Sequence, residues 1–178
     1  MTLLSQEYKS QLMQKHIAKP WGGGGASWVP HLESWNLFEG VKTVLDYGCG
    51  RHTFKMSMED RHPEIDVREY DPGVPGFDGA PLPADLIVCT DVLEHFEPKY
   101  VDAGIGHLAA LTKHRAFFVI ACELSKSFLP DGRNTHLTVK SPDWWLEKLD
   151  DIYGADYARR VWEHRRSRLV VSLLRHPL

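Results

Sequence analysis

The stretch VLDYGCGRHTF, Val44 to Phe54, decides the fold of this chain. Its apolar start predicts a buried strand that ends near Asp46, and Gly48 and Gly50 then flank Cys49 before a helical segment. Glycine has no Cβ, so it permits a tight turn and lets a ligand lie against the backbone. The following helix would offer free N–H groups in its first turn. The stretch therefore predicts a ligand-binding turn, and the surrounding sequence must decide which ligand it suits.

The segments on either side of this turn alternate between strand and helix patterns. The predicted strands are VKTVLDY, IDVREY, DLIVCT and AFFVIAC, and the helices are Phe54 to Arg61, Pro98 to Leu111 and a later one with Ser141 as its N-cap. Such alternation predicts an α/β fold with a Rossmann-like, doubly wound and mostly parallel sheet. YARRVWEHRR and SRLVVSLLRH predict a C-terminal antiparallel hairpin that turns near Arg166 and Ser167.

The sheet should be shortened after its second strand, because only 13 residues separate Asp71 from Asp85. Before the core, residues 1–40 predict two helices, Leu4 to Ile17, ended by Pro20, and Trp28 to Phe38. The four glycines at 22–25 lie between them and suit a hinge, so this part is expected to form a lid over the site, with a flexible linker as the alternative. With a Rossmann-like core at 41–178, we expect one domain over residues 1–178.

Composition excludes several classes of protein. The chain has 178 residues, of which 43% are hydrophobic and 25% charged, which fits one globular domain. A formal net charge of -3 argues against bulk attraction to nucleic acid. Cys49, Cys89 and Cys122 show no disulfide or zinc-cluster spacing. Neither a signal peptide nor a membrane span is apparent, so we expect a cytoplasmic protein without a membrane partner.

Two motifs resemble those of class I S-adenosylmethionine-dependent methyltransferases. DYGCG, with an acidic residue two positions before the first glycine, resembles motif I of that family. Thr53 stands where a dinucleotide fingerprint needs its third glycine, which disfavours a dehydrogenase. His52 departs from the family, whose members often have a further glycine there. DLIVCTDVLEHF resembles motif IV, and with THLTVKSPDWWLEKL it is most similar to the branch that includes ubiquinone-pathway O-methyltransferases.

The resemblance implies S-adenosylmethionine as the cofactor. Asp46 would receive the ammonium of the methionine moiety, and Asp71, 21 residues after Gly50, would accept the ribose hydroxyls. Phe77 and Asp78 would cover and hydrogen-bond the adenine. The full expected cofactor set is Asp46, Tyr47, Gly48, Cys49, Gly50, Asp71, Pro72, Phe77, Asp78, Thr90 and Asp91, with Trp21 and Gly22 from the lid.

Catalytic candidates follow the motif IV strand. Glu94 and His95 lie within one helical turn of Asp91, and His136 could approach them from the loop after AFFVIAC. The four side chains would suit a divalent metal ion that acidifies a substrate hydroxyl. Without a metal, His95 or His136 could act as a general base. Glu94 and His95 could instead cap and pack the following helix.

These patterns predict an enzyme that methylates O or N of a small polar molecule. One alternative acceptor is a nucleotide or nucleic acid bound by a basic edge of hairpin arginines, Arg159, Arg160, Arg165, Arg166 and Arg168. A second alternative is a non-catalytic cofactor-binding or scaffold subunit. The sequence indicates neither the acceptor nor the oligomeric state.

Overall fold

A computed structural model describes residues 2–18 and 21–176 of the chain. Within them, six strands form one sheet in the order β2-β1-β3-β4-β6-β5. The strands are β1 (Thr43–Tyr47), β2 (Asp66–Tyr70), β3 (Ala84–Thr90), β4 (Thr112–Ala121), β5 (Tyr157–Arg165) and β6 (Arg168–Arg175). The first four are mutually parallel, and the β5–β6 hairpin joins antiparallel to β4. The predicted Rossmann-like sheet with a C-terminal hairpin is confirmed.

Five α-helices surround the sheet. They are α1 (Gln6–Ala18), α2 (Val29–Ser34), α3 (Thr53–Arg61), α4 (Val101–Leu111) and α5 (Pro142–Tyr153). Short 3-10 helices at Gly25–Trp28 and Pro98–Tyr100 precede α2 and α4. Ser141 caps α5, because its Oγ accepts the Trp144 N–H. None of these helices is both long and apolar enough to cross a membrane.

Alternating residues of the central strands divide the core into two layers. Val44, Leu86 and Val88 pack with α2 and α3 on one face, whereas Leu45 and Ile87 pack with α4 and α5 on the other. Successive side chains of a strand point to opposite faces, so strands covered on both sides need apolar residues throughout. This explains the continuous apolar runs of β1, β3 and β4.

Two predicted boundaries differ from the structure by four residues each. The second helix ends at Ser34 rather than Phe38, since Asn36 has φ +55, a left-handed conformation that terminates a helix. Strand β4 begins at Thr112 rather than Ala116, because Thr112 already pairs with Ala84 of β3. Pro20, the predicted end of the first helix, lies outside the described residues.

Candidate active site

The ends of β1, β2 and β3 meet at one edge of the sheet, the usual place for a ligand in open α/β folds. A cavity of about 160 Å³ lies there, roughly ten times the volume that one buried water needs. Its lining comes from the glycine turn, the segments after β2 and β3, and the N-terminal residues. The lining residues are Leu4, Tyr8, Leu12, His16, Trp21, Gly22, Gly24, Gly25, Asp46, Tyr47, Gly48, Cys49, Gly50, Asp71, Pro72, Thr90, Asp91, Val92, His95 and Phe96.

Close packing explains the glycines of the turn. A Cβ on Gly48, which has φ +92, would lie 2.3 Å from a methyl carbon of Val92. A Cβ on Gly50, which has φ +49, would lie 2.5 Å from the carbonyl oxygen of Gly22. The same Gly22 oxygen accepts the Arg51 N–H at 3.1 Å. The N-terminal glycine run therefore packs directly on the turn, which sequence spacing could not indicate.

Asp71 connects the glycine turn to the segment after β2 through two hydrogen bonds. One carboxylate oxygen accepts the Gly50 N–H at 3.0 Å, and the other accepts the Gly73 N–H at 2.9 Å. Each carboxylate oxygen has two lone pairs, so each retains one further acceptor position. The side chain is buried but lines the cavity. Asp71 can therefore hold the turn and accept two hydroxyls of a ligand.

The carboxyl group of Asp46 is strongly perturbed by its surroundings. Burial raises its pKa to about 8, and the nearby Glu69 and Asp71 carboxylates act in the same direction. The residue is buried and borders the cavity. Its carboxyl is therefore neutral at pH 7 until a cation arrives, since an adjacent positive charge favours the ionised form.

Helix α1 lies over the cavity and contacts three separate loops. Ser5 donates its N–H to Glu97 at 2.7 Å, and Lys9 forms an ion pair with Asp78 at 2.8 Å. Gln11 donates to Asp131, and Lys15 to the Ser127 hydroxyl, both at 2.7 Å. Beneath these polar contacts, Tyr8 and Leu12 of the helix pack with Leu129 in a small apolar cluster separate from the two core layers.

Three of the four predicted metal ligands lie together. One ligand atom each from Glu94, His95 and His136 lies within 4.8 Å of the other two, whereas Asp91 is not part of this group. Both imidazole Nδ1 atoms contact backbone carbonyls, His95 that of Thr135 at 2.6 Å and His136 that of Glu123 at 2.5 Å. With a proton on each Nδ1, both Nε2 atoms are lone-pair donors.

Glu94 is fully buried, and only one of its two carboxylate oxygens has a hydrogen-bond partner in the described part of the chain. Its Oε1 accepts the Ala121 N–H at 3.1 Å, while its Oε2 has no hydrogen-bond partner within the described part of the chain. Burial raises the pKa of this carboxyl to about 8 and lowers that of His95 to about 4. The cluster thus combines a protonated acid with a neutral imidazole, and an unpaired buried oxygen of this kind is costly.

Most of the other predicted cofactor-binding residues line the cavity, but two do not. Trp21, Gly22, Pro72, Thr90 and Asp91 line it, as do all five residues of the turn, 46–50. Phe77 and Asp78 do not, because Phe77 packs on the His52 ring at 4.4 Å between centroids and Asp78 pairs with Lys9. Their expected contacts with adenine therefore stay a prediction.

Sequence reasoning assigned no ligand role to the cavity side of α1. Tyr8, Leu12 and His16 reach the cavity from this helix, and Leu4 from the residues before it. Their only signal was the apolar spacing of Leu4, Tyr8 and Leu12, which marks a buried helix face without indicating what it covers.

A family model described as a methyltransferase domain matches residues 26–169. The chain belongs to this methyltransferase domain family. The match spans the glycine turn, Asp71, the Glu94–His95–His136 cluster and part of the hairpin. No curated protein matches the sequence.

Solved methyltransferases share the fold of this methyltransferase domain. The 1,6-didemethyltoxoflavin-N1-methyltransferase of Burkholderia thailandensis superimposes with a TM-score of 0.65 at 16% identity, over 99% of this chain and 93% of that one. An O-methyltransferase family protein from the same organism gives 0.61 at 14% identity, over 98% and 64%. Human N-acetylserotonin methyltransferase gives 0.61 at 12% identity, over 95% and 57%. The chain thus spans less than two thirds of the last two proteins.

Proposed function

We propose that this chain is an S-adenosylmethionine-dependent methyltransferase that modifies O or N of a small polar molecule. The proposal rests mainly on the cavity between the glycine turn and His95, which has Asp46 and Asp71 in its wall. Two structural neighbours support the assignment. The human enzyme was solved in complex with S-adenosylmethionine, and the didemethyltoxoflavin methyltransferase with S-adenosylhomocysteine and its small-molecule substrate.

The two buried aspartates fit opposite parts of this cofactor. The free acceptor positions of Asp71 suit the two ribose hydroxyls. Asp46 suits the ammonium of the methionine moiety, because a buried acid with a pKa of about 8 ionises readily beside a cation. Gly48 and Gly50 let Val92 and Gly22 pack closely on the turn, and both glycines line the cavity that would hold the ligand.

When bound, S-adenosylmethionine supplies a methyl group to a nucleophile in line with its sulfonium. The chain must therefore align an acceptor and keep water away from it. Tyr8 and Leu12 of helix α1, together with Trp21, close the cavity and would exclude water. In this proposal the N-terminal residues form the lid and open when ligands exchange.

The acceptor's proton can pass to His95 or, where a bound metal ion would lower the pKa of the acceptor hydroxyl, to solvent water. His95 has a free Nε2 in the cavity wall, but its pKa of about 4 makes it a weak base. The same low pKa keeps the imidazole neutral, which is the form a metal ion requires. We therefore favour a role for His95 and His136 as metal ligands over a role for His95 as a lone general base.

The residues present fit a divalent ion. Histidine ligands generally donate their second ring nitrogen to a carbonyl or carboxylate, and both Nδ1 atoms contact carbonyl oxygens here. The unpaired Glu94 Oε2 would supply a third, negatively charged ligand. A metal held by Glu94, His95 and His136 would lower the pKa of an acceptor hydroxyl.

Metal binding is tested without reference to activity. Chelator-treated protein is titrated with Mn²⁺ by calorimetry, and we expect a one-to-one isotherm that is lost in His136→Ala. His114→Ala is the matched control, since His114 is an exposed histidine of β4 outside the cluster. An isotherm retained in His136→Ala would contradict the ligand set.

Cofactor binding is tested with S-adenosylhomocysteine and, for comparison, NAD. Calorimetry should give saturable binding of S-adenosylhomocysteine only. Preferential binding of NAD would overturn the proposed function. Incubation of cell extract with labelled S-adenosylmethionine, with and without the protein, then identifies the acceptor.

Two alternatives remain as outcomes of these tests. The nucleic-acid reading is weakened because three of the five hairpin arginines pair with carboxylates, Arg159 with Asp150 and both Arg165 and Arg168 with Glu163. Salt-dependent binding to oligonucleotides would restore it. Cofactor binding without any labelled acceptor would favour a scaffold subunit. The likeness to the ubiquinone-pathway branch and the cytoplasmic location stay predictions.

A further inference from the structure

A second cluster of metal-ligating side chains lies behind the glycine turn, apart from Glu94, His95 and His136. One ligand atom each from Cys49, His52 and Glu69 lies within 4.8 Å of the other two. Cys49 comes from the turn, His52 precedes α3, and Glu69 lies on β2. We infer that these three residues form a binding site for a thiophilic divalent cation of the zinc class. His52 and Glu69 have no role in the proposed methyl transfer, whereas Cys49 also lines the cofactor cavity.

The donor atoms suit that class of ion. Sulfur, nitrogen and carboxylate oxygen in one site select zinc-like metals over magnesium or calcium, which prefer oxygen ligands alone. His52 Nδ1 and Glu69 Oε1 lie 2.8 Å apart in a hydrogen bond, and an ion that binds both atoms would replace the proton between them. Three protein ligands would leave a fourth position for water.

The local charge also favours a cation. Burial raises the pKa of the Cys49 thiol, and the nearby Asp71, Asp46 and Glu69 carboxyl groups act in the same direction. The cation facing this group from α3 is Lys55, whose Nζ lies 3.7 Å from Glu69. A divalent ion would bind the acidic oxygen of Glu69 and displace the thiol proton to solvent.

His52 occupies a backbone position that suits glycine. Its φ is +61, a left-handed conformation that costs a non-glycine residue energy unless its side chain makes compensating contacts. The ring contacts Glu69 and packs on Phe77, while the residue itself is half-buried. An ion would therefore enter past the partly exposed His52 ring to reach the buried Cys49 thiol and Glu69 carboxylate.

The ion would connect the turn to the neighbouring strand. Cys49 and Glu69 already lie on adjacent segments, since the Cys49 N–H contacts the carbonyl of Tyr70 at 3.2 Å. A metal shared by Cys49, His52 and Glu69 would fix both segments and the start of α3. Because the ion binds the folded chain only, it would raise the temperature of unfolding.

Cobalt(II) is the probe that separates this site from the first cluster, which contains no sulfur. Addition of Co²⁺ to the full, chelator-treated chain should produce a thiolate-to-cobalt charge-transfer band in the near ultraviolet. The band should disappear in Cys49→Ser and in His52→Gly, and remain in Cys122→Ser and His136→Ala. Glycine suits the backbone at position 52, so His52→Gly should fold and remove only the ligand.

Zinc affinity and unfolding temperature complete the test. We expect the affinity to fall at least about tenfold in His52→Gly, the scale known for weakened metal sites, and zinc to raise its unfolding temperature less than that of the parent. Absence of the charge-transfer band in the parent chain, or its persistence in His52→Gly, would overturn the inference. Neither result depends on cofactor binding, so failure here leaves the proposed function untouched.

Discussion

Replacement of Asp46 by asparagine tests the electrostatics of the cavity most directly. The side chain keeps its shape but can no longer exchange a proton. In the folded chain the carboxyl has a pKa of about 8, whereas an unfolded aspartate titrates near pH 4. Between these values the folded state binds one proton more than the unfolded state. The stability that the neutral acid contributes is therefore present below about pH 4 and is lost as the pH rises towards about 8.

The magnitude follows from proton linkage. One extra bound proton lowers the free energy of unfolding by about 1.4 kcal/mol for each pH unit of increase. Glu94 acts in the same direction, since its folded pKa is also about 8. His95 acts oppositely, but only below about pH 6.5, where an unfolded imidazole becomes protonated. Between about pH 6.5 and pH 7.5 the free energy of unfolding should thus fall by about 2 to 3 kcal/mol in the parent chain. In Asp46→Asn it should fall by about half of that.

Urea unfolding of the cofactor-free chain at several pH values measures these slopes, provided that the transitions are two-state. A slope that is unchanged in Asp46→Asn would refute the neutral, buried carboxyl. The cofactor supplies a second measurement. An ammonium beside Asp46 should restore its charge, so binding of S-adenosylhomocysteine near pH 7 should release up to one proton in the parent and fewer in Asp46→Asn. Calorimetry in buffers of different ionisation enthalpy counts that proton.

Three further substitutions test other parts of the site. Asp71→Ala should weaken binding of S-adenosylhomocysteine by at least about 1 to 2 kcal/mol, measured by calorimetry, and an unchanged affinity would exclude its ribose role. Gly50→Ala should destabilise the chain by about 1 to 3 kcal/mol, because its Cβ would meet the Gly22 oxygen; thermal unfolding should show no such loss for the open helical control Gly106→Ala. Glu94→Gln should change stability by less than about 1 kcal/mol at pH 6, where the acid is already neutral, yet weaken Mn²⁺ binding in calorimetry; unaltered Mn²⁺ affinity would remove Glu94 from the ligand set.

The sheet could be predicted because its signals are local. Apolar runs identify the parallel strands, and the glycines of Val44 to Phe54 mark the first turn. The short distance from Asp71 to Asp85 leaves no room for another helix and strand. Motif spacing also brings Glu94 and His95 to the same sheet edge as the turn. These inferences need only the hydrophobic periodicity, the lengths of the connecting segments and the rule that the carboxyl ends of parallel strands lie at one edge of the sheet.

The rest depends on contacts between distant residues, which no local pattern encodes. The approach of Gly22 to Gly50 joins two glycine segments that are far apart in sequence. Asp91 lies outside the Glu94–His95–His136 group, and its left-handed backbone, with φ +55, departs from the helical conformation that the spacing predicts. The ion pair between Lys9 and Asp78 likewise depends on where α1 packs. Side-chain partners chosen by tertiary packing set these details.

The contacts of α1 also determine when the site can be completed during synthesis. This helix is made before the loop that it contacts, since its partner Asp131 follows Gln11 by 120 residues. A 13-residue helix is marginal alone in water, so α1 gains its main support only once that loop has emerged. At ribosomal rates of about 5 to 20 residues per second, the interval is roughly 6 to 24 s. The apolar residues that later cover the cavity remain exposed to chaperones and proteases throughout that time.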